Sequence, residues 1–121
     1  MYRNILLSVD LAEQSSWRKA LPVAVEFCQA TGATLHLMTV VPDYGSPAVA
    51  QYFPADFEER MLRQTARELA ALADKAVPAG VPVEQIVAYG GIYEKIIEAA
   101  KTTGADLIVM ASHRPELKDY L

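Results

Sequence analysis

From the amino end, short apolar runs alternate with longer stretches whose apolar residues recur every three or four positions. "NILLSVD", Asn4 to Asp10, is apolar on both faces until Ser8, as in a strand covered on both sides. "SSWRKALPVAVEFCQATGA" then places Trp17, Ala20, Leu21, Ala24, Phe27 and Cys28 at helical spacing. Ser15 or Ser16 is a candidate N-cap, and Gly32 stands where a helix end favours a left-handed residue. Pro22 removes one hydrogen bond from this pattern and predicts a kink near Arg18. "TLHLMTVV", Thr34 to Val41, is a second strand, ended by Pro42-Asp43.

"PDYGSPAVAQYFP" holds three prolines, a glycine and two tyrosines, and reads as a loop. Its length suits a functional or mobile cover. From Pro54 onward, Phe57, Met61, Thr65, Leu69, Leu72 and Ala76 form one helical stripe. Asp56, Glu58 and Glu59 lie at the positive end of that helix and Lys75 near its negative end. "VEQIVAY" is a third strand and Gly90-Gly91 a tight turn. "IYEKIIEAAKTTG" is a third helix, apolar at Ile92, Ile96, Ile97 and Ala100 and closed by Gly104. "ADLIVMAS" is a fourth strand.

The order is βαβαβαβ. Helical connections between apolar strands predict parallel pairing with right-handed crossovers, and so a doubly wound, Rossmann-like open sheet in one α/β domain. Ligands of such sheets sit at the carboxyl ends of the strands, where the strand order reverses. Three stretches therefore carry the interest: Ser8-Val9-Asp10, Val40-Val41-Pro42 and Ala111 to Arg114.

Composition narrows the function. The 121 residues carry a formal net charge of -4, which speaks against a general nucleic-acid binder. No cationic segment followed by an apolar run opens the chain, so no secretory signal is predicted and a cytoplasmic location is expected. The single Cys28 has no partner for an internal disulfide. On the apolar face of its helix it reads as a small core hydrophobe. His36 lies among Leu35, Leu37 and Met38 and reads as a structural histidine. Two histidines and one cysteine at scattered positions do not make a zinc site. No G-x-G-x-x-G fingerprint occurs, and "YGG" is a strand-to-helix turn. Beside His113 there is no nucleophile with an orienting third group, so a catalytic triad is not expected.

"ILLSVD" with its Ser-bearing turn and "ALPVAVEFCQATGATLHLMTVVP" resemble the opening half of universal stress proteins. "YGGIYEKIIEAAKTTGADLIVMASHRP" resembles their third helix and fourth strand. The resemblance spans almost the whole chain outside the Pro42–Pro54 loop. It implies a regulatory or stress-survival protein that binds ATP or another adenine nucleotide, pairs into a homodimer and has no well-defined catalytic turnover. Such members carry a loop G-x2-G-x9-G-[ST] after the fourth strand. On that pattern Ala111 and Arg114 occupy the first two glycine positions, and the third falls beyond Leu121. The resemblance thus implies that residues 1–121 make a single domain incomplete at its C-terminus, cut inside the phosphate loop ahead of a helix and a fifth strand; a longer polypeptide is the expectation, and a degenerate form the alternative.

Carried over residue by residue, the resemblance places Asp10 near the ribose or adenine and Val40 beside the adenine ring, with Ser8 at the same strand end. Asp10 has a plainer role open to it, that of capping the following turn. Ala111, Ser112, His113 and Arg114 fall on the phosphate side. There backbone N–H groups can cradle an anion and Arg114 can add a charged fork. Arg114 can equally fill the phosphate site or face solvent. Mg2+ alongside the phosphates is left open. The missing glycines keep a second reading in play, a nucleotide-free dimerisation or interaction module. A substrate-activating enzyme has no signature here.

Overall fold

The computed structural model describes residues 1–42 and 54–111 of the chain. Among these, strand β1 spans Asn4–Ser8, helix α1 Ala20–Thr31, strand β2 Thr34–Val41 and helix α2 Phe57–Ala76. Strand β3 spans Val83–Tyr89, helix α3 Ile92–Thr103 and strand β4 Leu107–Val109. The strands form one sheet in the order β3-β2-β1-β4, and every pairing is parallel. Order and direction are those of a doubly wound sheet. The chain steps outward from β1 to β3, then returns past β1 to place β4 on its other side. The reversal falls between β1 and β4.

Side-chain alternation divides the core in two. Ile5, Leu7, Leu35 and Leu37 pack with Leu21, Ala24 and Cys28 of α1 and with Leu69, Leu72 and Ala73 of α2. On the opposite face Leu6 and Met38 pack with Ile96 and Ala99 of α3. Consecutive residues of β1 and β2 thus serve both layers, which is why these strands read as continuous apolar runs. Burial also pushes the Cys28 thiol pKa up, as expected of a core thiol.

Several expectations change in α1. Neither Ser15 nor Ser16 caps it: Gln14–Ser16 form a separate 3-10 turn, and the regular helix begins at Ala20. Leu21 still donates to the Trp17 carbonyl at 2.9 Å, but Pro22 has no N–H to offer that of Arg18. The irregularity at Arg18 is therefore a boundary between 3-10 turn and helix, not a kink within one. Pro22 lands in the first helical turn, where a missing donor costs little. Val25 takes the buried place expected for Phe27, which instead meets Tyr2 edge-to-face with ring centroids 5.9 Å apart.

In α3 only Ile96 and Ala99 are fully buried, while Ile92 and Ile97 are exposed. The helix rests on the sheet along a narrower line than its apolar pattern suggests. The α2 expectations hold: Asp56 pairs with Arg60 at 3.3 Å, Glu58 and Glu59 sit in the first turn and Lys75 in the last. The stretch predicted as a covering loop lies, but for Pro42 and Pro54, outside the described residues.

Candidate functional site

The carboxyl end of β1 runs into a turn organised by one hydroxyl. Val9 continues the ladder by donating to the Met38 carbonyl at 2.8 Å, and the buried Thr39 hydroxyl donates to the Val9 carbonyl at 2.8 Å. Beyond that point Asp10 N–H donates to Ser16 Oγ at 2.9 Å. The same hydroxyl lies 2.9 Å from the Asp10 carbonyl and 2.7 Å from the Glu13 carbonyl, placed to give its proton to either. Asp10 Oδ1 accepts the Ala12 N–H at 3.0 Å, closing an Asx turn. The turn-capping role of Asp10 is thus real. One carboxylate oxygen serves it, and the exposed side chain keeps acceptor capacity, since a carboxylate offers about four lone-pair sites.

Around this turn lies a crevice of about 490 Å³. Ser8, Val9 and Asp10 come from the end of β1, Val40 and Pro42 from the end of β2, and Met110 and Ala111 from just past β4. It therefore straddles the point where the strand order reverses, the position physical topology favours for a ligand. Of the residues predicted from sequence, Ser8, Asp10, Val40 and Ala111 are brought together here. Ser112, His113 and Arg114 lie outside the described residues.

Sequence reasoning missed the opposite wall. Ile92, Tyr93 and Ile96 of α3 face the crevice. Tyr93 is 74% exposed and Ile92 51%, although Ile92 belongs to the apolar pattern of the helix. One signal for them was available. A helix that follows a parallel strand begins at the sheet's carboxyl edge, so large apolar residues in its first turn stand at the ligand side. Glu13 and Ser15 complete the rim from the β1–α1 connection.

The arrangement combines the carboxylates of Asp10 and Glu13 and several hydroxyls with an apolar slot of Val40, Ile92, Tyr93 and Ile96. That suits a flat, partly apolar ligand bearing hydroxyl groups. Its size is within the ordinary range of small-molecule clefts, roughly 300–1,000 Å³. Among the described residues no group of three or more His, Cys, Asp or Glu side chains gathers as a metal site would. His36 is not part of the crevice. It is 9% exposed, its Nε2 lies 2.9 Å from Asn4 Oδ1, and burial lowers its pKa against a smaller opposing effect of Glu84.

Comparison with known proteins places these features in a wider setting. The family model described as "Universal stress protein family" matches residues 1–121. Universal stress protein G of Escherichia coli O157:H7 is 28% identical over 124 residues, covering 100% of this chain and 86% of that protein. The Shigella flexneri protein of the same name matches to the same extent, 28% over 124 residues. Among solved structures, hypothetical protein MJ0577 superposes with a TM-score of 0.78 at 22% identity, over 98% of this chain and 81% of that one. A universal stress protein in complex with cAMP superposes with a TM-score of 0.54 at 21% identity, over 88% of this chain and 70% of that one.

Proposed function

Because this chain belongs to the universal stress protein family, we propose that it is a regulatory protein that binds an adenine nucleotide at the carboxyl ends of β1, β2 and β4. The observation that carries this reading is the single crevice into which Asp10, Val40 and Ala111 converge from three strand ends. Asp10 accepts hydrogen bonds from the ribose hydroxyls, and Val40 with Tyr93 and Ile96 lines the slot for the base. The expected phosphate side begins at Ala111 and continues in sequence to Ser112, His113 and Arg114. A similarly folded universal stress protein in complex with cAMP supports the ligand class.

The proposal extends to a cytoplasmic homodimer acting in a stress response. Family membership supports this, as do Ile97, Ile108 and Met110, apolar and exposed on or beside α3 and β4. Among the described residues no helix is long and apolar enough to cross a membrane.

Titration calorimetry with ATP, AMP and cAMP, each with and without Mg2+, tests the reading. Saturable binding of at least one of them is expected. Asp10→Asn keeps an acceptor for the Ala12 N–H but removes the charge, and weakens binding by about three- to ten-fold, the worth of one charge-assisted hydrogen bond at an open site. No binding of any of the three, with the protein folded, would leave the nucleotide-free interaction module as the better account. Ala111 and Arg114, standing where nucleotide-binding members carry glycine, favour that second reading.

A further inference from the structure

We infer that the crevice has a second, cationic lobe, built by Arg18 and Lys19, that takes the terminal phosphates of a polyphosphate and makes the site favour ATP over AMP. This rests on the adenine-nucleotide reading above and extends its phosphate side, which begins at Ala111, to a second place for the outer phosphates. The observation is a second cavity of about 460 Å³ between the start of α1 and the end of β4. Ser15, Met110 and Ala111 line both cavities, so the two are adjoining lobes that meet over the end of β4.

The lobes differ in charge. The first is lined by Asp10 and Glu13 and by no Lys or Arg among the described residues. The second is lined by Arg18 and Lys19 and by no carboxylate among them. A ligand with hydroxyl groups at one end and several negative charges at the other matches that polarity in one orientation only. Phosphates held beside Asp10 and Glu13 are repelled, and the attraction lies across Ser15 and Ala111. An AMP-sized anion seated by its ribose does not need the second lobe, whereas a triphosphate does.

Local structure explains why these two cations are available. Pro22 withholds a donor from the Arg18 carbonyl, so Arg18 and Lys19 lie in the turn ahead of α1, at the ligand edge of the sheet. Both are exposed, and neither forms an ion pair among the described residues. The amino end of α1 adds positive potential of the same sign. Arg18 offers a planar fork of donors and Lys19 a mobile point charge, a combination suited to a flexible polyphosphate.

The test compares adenosine, AMP and ATP binding by the full chain and by the Arg18→Gln/Lys19→Gln variant at fixed ionic strength. In the variant, ATP affinity falls about ten-fold or more, while adenosine and AMP stay within about two-fold, as expected when contacts to the outer phosphates alone are lost. The salt dependence of ATP binding becomes shallower in parallel. Both side chains are exposed, so the circular dichroism spectrum and melting temperature of the variant stay close to those of the parent. Equal losses for all three ligands, or undiminished ATP binding, would overturn the cationic lobe. So would a parent protein that binds adenosine and ATP equally well. If the parent protein binds none of the three, the nucleotide reading itself fails, a result distinct from failure of the lobe alone.

Discussion

A single hydroxyl holds the geometry of the crevice rim. Ser16 Oγ accepts from Asp10 N–H and faces two carbonyls, so it fixes where Asp10 stands relative to the end of β1. Replacing it with alanine leaves those backbone groups to water or to one another. Ser16→Ala is expected to cost about 1 kcal/mol of folding stability, the net worth of a typical hydrogen bond. On the proposed adenine-nucleotide reading it also weakens binding, through displacement of Asp10. Ser16→Thr, which keeps the hydroxyl, restores both, and thermal melting with calorimetric titration reads the two effects separately. In the sequence, Ser16 is legible as a residue that bonds local backbone, since serine before a helix commonly does. What the sequence hides is the direction. The hydroxyl turns back to the strand end, and the helix it precedes begins four residues later. The position of Asp10 and Val40 at strand ends was legible for a different reason, since the apolar runs fix those ends and topology makes them the ligand side; their roles there came only from the family resemblance.

At the scale of elements, punctuation by glycine made the second half of the chain the easier to read. β3 and α3 occupy the stretches their patterns predict, because Gly90-Gly91 and Gly104 bound them. Gly104 ends α3 at φ +67, with its N–H directed to the Ala100 and Lys101 carbonyls. A Cβ there would meet no atom nearer than Asn4 Nδ2 at 4.0 Å, so space is not the constraint. Gly104→Ala is accordingly expected to destabilise by about 1 kcal/mol, through the left-handed backbone alone. For a chain of this length that lowers the melting temperature by roughly 4 °C. No such punctuation marks the start of α1, where a proline inside an apolar pattern can mean a kink or an entry. Pro22 turned out to be an entry: Ser16 bonds back to Asp10 and Glu13, and the regular helix starts at Ala20. Periodicity also assigned Ile92 and Ile97 to the core, since it counts apolar residues on a face without knowing how much of that face the sheet covers.

At the scale of the whole molecule, two groups among the described residues have pKa values that folding lowers, and each makes stability depend on acid. Burial holds the pKa of His36 below its ordinary value of 6.5, so the unfolded chain takes up the proton first. Its contribution is complete above about pH 6.5 and is lost as pH falls through the lowered folded value. The N–H groups of Arg3, at 2.9 Å, and Asn4, at 3.2 Å, hold the Asp106 carboxylate below its ordinary 3.8. That contribution is present above about pH 4 and is lost as pH falls through the lowered folded value. The two losses have the same sign and come in sequence. Melting temperature against pH should therefore decline in two stages, and His36→Gln should remove the first stage while leaving the second.

Asp106 has one more consequence, for how the chain is made. It fastens the backbone of Arg3 and Asn4 from more than a hundred positions away, beside a strand whose two neighbours are β2 and the late β4. During synthesis β1 emerges first and soon meets β2, but its other edge stays open until nearly every described residue has left the ribosome. Closure of that edge brings together the most distant strands among the described residues, a loop whose entropy must be overcome before any contact rewards it. A strand whose Ile5, Leu6 and Leu7 are fully buried is thus made before the other described strands and is among the last to be sheltered on both sides. The interval between is the time in which the nascent chain is open to association with other chains.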